Sequence, residues 1–279
     1  MLPKAFEYKR AASVADAIAL MAQHGDDAKL MAGGQSLIPA MKLRLNSPDV
    51  VIDLSRIAEL NYIKEQDGHI CIGANATHSD IAYSDLIKSK LPLYADTAEL
   101  IGDTQVRNRG TLGGSIAHAD PSADWPAALL ASGAVVVAQG ANGTRMIDAD
   151  DFFTGFFETA LVEGEIVTEI RVPTPAAGTG MSYQKFMQPA SRFAIVGCAA
   201  VVNGNNVRVA FTGLSDGPFR DTAVENAMSG MAHTAENIAA AASQAAEGIR
   251  INEDHFASQA YRKHLAKVFA KRALTAACA

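Results

Sequence analysis

The sequence predicts an α+β protein in two parts, a longer amino-terminal domain over residues 1–176 and a shorter carboxy-terminal domain over 177–279. Three observations carry this prediction. Strand-like and helix-like segments alternate around two glycine-rich loops in the first part. The stretch Pro173-Thr-Pro175-Ala-Ala-Gly178-Thr-Gly180 then breaks any regular structure, since proline lacks an amide proton and glycine favours turns. Beyond it a hairpin signal gives way to alanine-rich helical sequence.

In chain order, Ser13-Val-Ala-Asp16 has capping-box spacing with Asp in the place of the usual Glu or Gln. Val14, Ile18 and Met21 follow at helical intervals as far as Gly25. Lys29 to Ala32 reads as a short buried strand running into Gly33-Gly34, after which Ser36 can cap a helix over Leu37 to Leu45. Val50 to Asp53 reads as a strand. Tyr62 to Lys64 and Ile70 to Ile72 read as a hairpin around Asp67-Gly68, a pair suited to a tight primed turn. Helices are expected over Ser79 to Ser89 and Leu91 to Ile101, then a second glycine-rich loop over Arg107 to Ser115. Ala134 to Gln139 and Thr144 to Ile147 form another hairpin, and Glu165 to Val172 alternates like a strand. In the second domain, Ala194 to Val202 and Val207 to Thr212 flank Asn203-Gly-Asn-Asn206, and helices run from about Asp221 to the end.

Composition narrows the function classes. With 49% hydrophobic and 19% charged residues the chain can bury a substantial core, and a formal charge of -6 argues against a nucleic-acid partner. Without a leader-like start or a run near the roughly 20 apolar residues of a membrane span, the expected location is cytoplasmic. Cys71, Cys198 and Cys278 form no C-x-x-C pair. The seven histidines show no spacing that pairs two imidazoles on one helix face. No metal is therefore expected on this chain alone, and the histidines are read as surface or satisfied core residues.

The chemistry-bearing elements are Ala32-Gly33-Gly34-Gln35-Ser36 and Thr111-Leu112-Gly113-Gly114-Ser115. A diphosphate needs several donors converging on its oxygens. Consecutive glycines expose successive main-chain amides, and Ser36, Thr111 and Ser115 add hydroxyls. A helix opening at Ser36 would add its own free amides and dipole. Neither a Walker loop nor the G-x-G-x-x-G of a Rossmann site occurs. A single Gly-Gly is more often a turn or a close backbone approach, so the weight rests on the pair.

Those two loops match A-G-G-x-S and T-[IL]-G-G-[NS], and the chain resembles the FAD-binding medium subunit of molybdenum hydroxylases, the carbon monoxide dehydrogenase and xanthine dehydrogenase family. The resemblance also takes in Phe6-x-Tyr8, Pro48 to Leu54, Leu91-Pro92 and Tyr183-Gln-Lys185, and so covers nearly the whole length. It implies a two-part PCMH/VAO-type FAD-binding domain followed by a three-stranded antiparallel sheet with a helical bundle.

The resemblance also implies a site. Leu30, Met31, Ala32, Gly33, Gly34, Gln35, Ser36 and Leu37 would wrap the pyrophosphate, with Thr111, Gly113, Gly114 and Ser115 closing from the other side. Ile101 would form an apolar wall, and Asp124 would accept from a sugar-like hydroxyl. Ile166 and Val167 would lie by the flavin ring, and Lys185 near its polar edge. Phe193 stands where some relatives have tyrosine, which keeps stacking and removes a hydroxyl. Gln35 replaces a frequent histidine and Ser115 a frequent asparagine. Asp124 as a helix cap, Lys185 as a surface lysine, and Arg107 and Arg109 as solvated arginines are the plain alternatives.

By the same resemblance the partners would be a large molybdopterin-binding subunit and a small subunit with [2Fe–2S] clusters, assembled as a dimer of heterotrimers. FAD on this chain would pass electrons to a quinone, NAD or oxygen. The alternative is a stand-alone flavoenzyme of the same fold acting on its own substrate.

Overall fold

The structure, a computed structural model, describes residues 2–279. It begins with a three-stranded parallel sheet in which Val50–Asp53 lies between Glu7–Arg10 and Ala28–Met31. The helix Val14–His24 covers it. Ser13 caps that helix by accepting from the Asp16 amide, while the Asp16 carboxylate accepts from the amide of Ala12, one residue before the cap. Val14 and Ala17 pack on Val50, Ile52, Leu54 and Ile166, so this small core also binds the sheet to the next layer.

That layer is a five-stranded antiparallel sheet ordered Ile63–Gln66, His69–Gly73, Ile166–Pro173, Val135–Gly140, Gly143–Asp148. The Asp67-Gly68 turn has both residues at positive φ, which is why that pair joins its strands. The central strand carries a bulge at Thr168: Val167 pairs with Ala138, and Glu169 pairs with Val137. The bulge shifts the phase of the strand so that Val167 shares one core with Ile170 and Val172, where unbroken alternation would have set it on the face of Glu169 and Arg171, while Ile166 faces the other core.

Helices against this sheet differ from the expected spans for local reasons. The segment expected as one helix is two, His78–Tyr83 and Asp85–Lys90, because Ser84 leaves helical geometry and its hydroxyl caps Ile87 N. Thr77 and Asp80 form a capping box that starts the first of them. Pro92–Glu99 starts at its proline, and Trp125–Ser132 is buried on nearly every face. Leu37–Lys42 is shorter than expected, its chain turning at Arg44 with φ +62°, and Ser36 makes no capping bond.

The last part holds the two expected hairpin strands, Ala194–Asn203 and Asn206–Thr212, and a strand Gly180–Met187 in the segment read as linker and lead-in, which completes the three strands the resemblance implies, with one addition. A two-residue edge strand, Phe219–Arg220, makes the sheet four-stranded; it is too short to show a period of two in sequence. The helix Gln259–Ala277 lies on this sheet through Leu265, Phe269, Ala273, Leu274 and Ala277. A Cβ at Gly180 would run into the Ala277 carbonyl oxygen. Gly180→Ala is therefore expected to destabilise the protein by about 1–3 kcal/mol, read as a lowered denaturant midpoint at unchanged slope.

Candidate functional site

The strand Ala28–Met31 ends where the chain bends through Gly33 and Gly34, and open α/β sheets present ligand crevices at the carboxyl ends of their strands. Gly34 has φ +72°, open to glycine at little cost. Gly33 presses against the second loop: a Cβ there would meet the Arg109 carbonyl oxygen and come within 2.8 Å of the Gly110 Cα. The first diglycine bend thus touches the second glycine-rich loop at Arg109-Gly110. Gly113 is pressed in turn against Ala74, and a Cβ on Gly114 would lie 3.8 Å from that of Ala32.

The bends are not equivalent donors. In the second loop the amides are already used: Leu112 N donates to Ala76 O, Gly113 N to Ala74 O, Gly114 N to Thr111 Oγ1 at 3.1 Å, and Ser115 N to Thr111 O. Thr111 thereby caps the helix Leu112–His118. The expectation that both bends present free amides is corrected on this point. Only the first does so, because the second spends two amides on the carbonyls of Ala74 and Ala76 and two on Thr111 in starting a helix. The amides of Gly33, Gly34, Gln35 and Ser36 donate to no described residue, while the hydroxyls of Ser36, Thr111 and Ser115 keep their protons available.

These bends form part of one cavity of about 480 Å³, within the usual range for a small-molecule site. Its lining includes Leu30, Met31, Ala32, Gly33, Gly34, Gln35, Ser36, Leu37, Ile101, Thr111, Gly113, Gly114, Ser115, Asp124, Ile166, Val167 and Phe193, so the structure gathers the sequence-selected residues at one place. Lys185 is the exception. Its side chain is fully buried, donating to Leu100 O at 3.1 Å and to Asp124 Oδ2 at 2.8 Å. It is neither a surface lysine nor a cavity-wall cation, and its charge reaches the cavity through Asp124. Asp124 is itself 4% exposed, and its other oxygen accepts from the Tyr183 hydroxyl at 2.5 Å. Burial pushes the Asp124 carboxyl up, against the pull of the Lys185 ammonium, and pushes the Tyr183 phenol up as well. Arg107 is likewise anchored, donating to the carbonyls of Ile101 and Gly102.

Other lining residues had no signal strong enough to select them. Asn75, Gly102, Val106, Leu161 and Ala123 arrive from separate elements. Gly110 and Arg192 adjoin selected residues in sequence and were open to recognition on that ground. Arg192 sits at φ +62° in the turn closed by Gln188 N to Phe193 O, and its Nε is buried without a partner. His78 lines the cavity as well, from the start of its capped helix.

The arrangement divides into two ends. One offers backbone amides and hydroxyls with no lysine at the bend. The other is walled by Ile101, Leu161, Ile166, Val167 and Phe193. Polar donors for a diphosphate together with apolar side chains in one cavity suit a dinucleotide carrying a large ring, and so FAD fits the donor set. Among the described residues no group of three or more His, Cys, Asp or Glu side chains is placed to hold a metal ion.

Comparison with known proteins bears on that fit. Residues 4–175 match the family described as the FAD binding domain in molybdopterin dehydrogenase, and residues 181–277 match the carbon monoxide dehydrogenase flavoprotein C-terminal domain. The chain belongs to the family of FAD-binding medium subunits of molybdenum hydroxylases. It is 43% identical over 284 residues to the carbon monoxide dehydrogenase medium chain of Hydrogenophaga pseudoflava, covering 100% of this chain and 99% of that one. It is 38% identical to the glyceraldehyde dehydrogenase medium chain of Sulfolobus acidocaldarius, covering 98% of each. A solved structure of the Hydrogenophaga pseudoflava carbon monoxide dehydrogenase, in a form lacking the Mo-pyranopterin moiety, superposes with a TM-score of 0.95 at 44% identity, covering 99% of this chain and 98% of that one. The family is one of oxidoreductase subunits with FAD as cofactor. Among the described residues no helix is long and apolar enough to cross a membrane.

Proposed function

We propose that this chain is the FAD-carrying electron-transfer subunit of a molybdenum hydroxylase. It would stand between [2Fe–2S] clusters on a small partner subunit and an external acceptor, with substrate oxidised on a large molybdopterin-binding subunit. A dimer of such heterotrimers is the assembly in this reading, with residues 1–176 as the flavin domain and 177–279 as the flavoprotein C-terminal-like domain. The observation that carries the reading is the meeting of the two diglycine bends on one cavity, with four consecutive free amides on the first.

FAD supplies a carrier able to take electrons singly and release them singly or in pairs. The chain's own residues do the rest. The amides of Gly33 to Ser36 hold phosphate oxygens, joined by the hydroxyls of Ser36, Thr111 and Ser115. Gly33, by allowing backbone contact with Arg109 and Gly110, keeps the two loops at that spacing, and Gly113 lets the second pack on Ala74. Asp124 keeps lone pairs free beyond those used by Lys185 and Tyr183, and accepts from a hydroxyl of the cofactor. Ile101, Ile166, Val167 and Phe193 exclude water from the ring, with Phe193 at the mouth, where it is 44% exposed. Met31, Ala32, Leu30, Leu37 and Gln35 complete the wall around the first bend.

Purification from the native source, followed by spectroscopy, tests this. The expected preparation is yellow, with two further chains carrying molybdenum and iron. A colourless chain, or a lone flavoprotein turning over its own substrate, would refute the assignment.

A further inference from the structure

His78 was read from sequence as an ordinary histidine, and neither the glycine bends nor the apolar wall accounts for it. Its side chain is 4% exposed, on the first residue of the helix that Thr77 and Asp80 cap. Nδ1 accepts a hydrogen bond from Trp125 Nε1 at 3.1 Å. An indole N–H only donates, so Nδ1 presents its lone pair and the neutral ring carries its proton on Nε2. Burial, with a smaller contribution from the Arg107 charge, lowers the His78 pKa to about 4 and keeps the ring neutral near neutral pH.

Nε2 is left without a partner among the described residues. A Cβ on Gly110 would lie 2.7 Å from it, so this nitrogen stands over a glycine that itself lines the cavity, and any larger residue there would cover it. Trp125 is fully buried and packs tilted on the imidazole at 5.9 Å between centroids, holding the ring in place. Nε2 is not among the buried side-chain atoms left without a partner, so with no protein acceptor its N–H keeps access to the cavity and is open to an acceptor there.

We propose that His78 is a cofactor-binding residue whose Nε2–H donates to an oxygen of FAD beside the second glycine bend, and that Trp125 is the positioning residue that fixes its tautomer. This rests on the FAD reading above. Donation by a neutral ring suits a site where the second bend has already spent its amides, two on the carbonyls of Ala74 and Ala76 and two on Thr111.

The test uses the full-length apoprotein labelled with 15N-histidine and titrated with FAD. The expected spectrum shows one Nε2–H tautomer for His78, its Nε2 proton moving downfield to saturation with bound FAD. His78→Phe is expected to bind FAD about ten-fold more weakly, and His78→Gln, which returns an N–H near the Nε2 position, to recover most of that loss. Trp125→Phe is expected to bring in the second tautomer. An Nε2 resonance unmoved at FAD saturation overturns the inference even if the Phe variant fails to fold, and so does wild-type affinity in a folded His78→Phe protein. Wild-type apoprotein that takes up no FAD at all overturns the reading on which the inference rests.

Discussion

Gly33→Val is expected to lower FAD affinity by about 100-fold or more, the largest functional effect of any single substitution in the cavity. The added Cβ runs into the Arg109 carbonyl oxygen and crowds the Gly110 Cα, all of them main-chain atoms that cannot rotate away. The two bends must part, and the four free amides of the first bend lose their common aim. Gly114→Ala provides the contrast. Its Cβ meets chiefly the Thr111 hydroxyl, at 2.8 Å, which can turn aside at the cost of the Gly114 cap, so a several-fold loss is expected. Fluorescence titration of the two apoproteins, with circular dichroism as a check on folding, measures both. Equal and undiminished flavin uptake would remove the bends from the binding site.

Lys185→Met is expected to produce the largest stability loss, about 3–5 kcal/mol, because it strands the Asp124 carboxylate among buried groups. At roughly 2–4 °C per kcal/mol for a domain of this order, the melting temperature should fall by about ten degrees. Burial already pushes the Asp124 carboxyl up, and removing the ammonium takes away the main force holding it down. A group whose pKa is raised in the folded state stabilises the fold below its unfolded pKa, and that contribution is lost as pH rises through the folded pKa. The variant's deficit should therefore be smaller in mildly acidic buffer than at neutral pH. Pairing the change with Asp124→Leu should recover part of the loss, since two apolar groups replace the buried pair together. A neutral Lys185→Met protein that melts like wild type would show that the pair is not formed.

Much of the fold was open to reading from local chemistry. Asp67-Gly68 demanded positive φ, the run from Pro173 to Gly180 could not continue a strand or helix, and Ser13 stood one turn before an apolar period. The errors arose where short polar side chains redirected the backbone. Ser84 divided one expected helix into two, and Ser36 left its amides open instead of capping. In the site, Gly33 and Gly114 were legible because glycine pairs limit what a backbone is doing. His78, Asn75 and Leu161 were not, because each enters the cavity singly, with no glycine pair or other motif beside it to mark it.

Determined by the amino-acid sequence alone were the existence of two diglycine elements, the strand leading into the first and the helix following it, and the absence of lysine-based phosphate loops, all of them consequences of local backbone preference. Tertiary structure decided that Gly33 meets Arg109, that Thr111 consumes the Gly114 amide, and that Lys185 answers Asp124 while Trp125 answers His78. These are pairings between residues distant along the chain. A buried donor or acceptor finds its partner only when the whole core has closed around it.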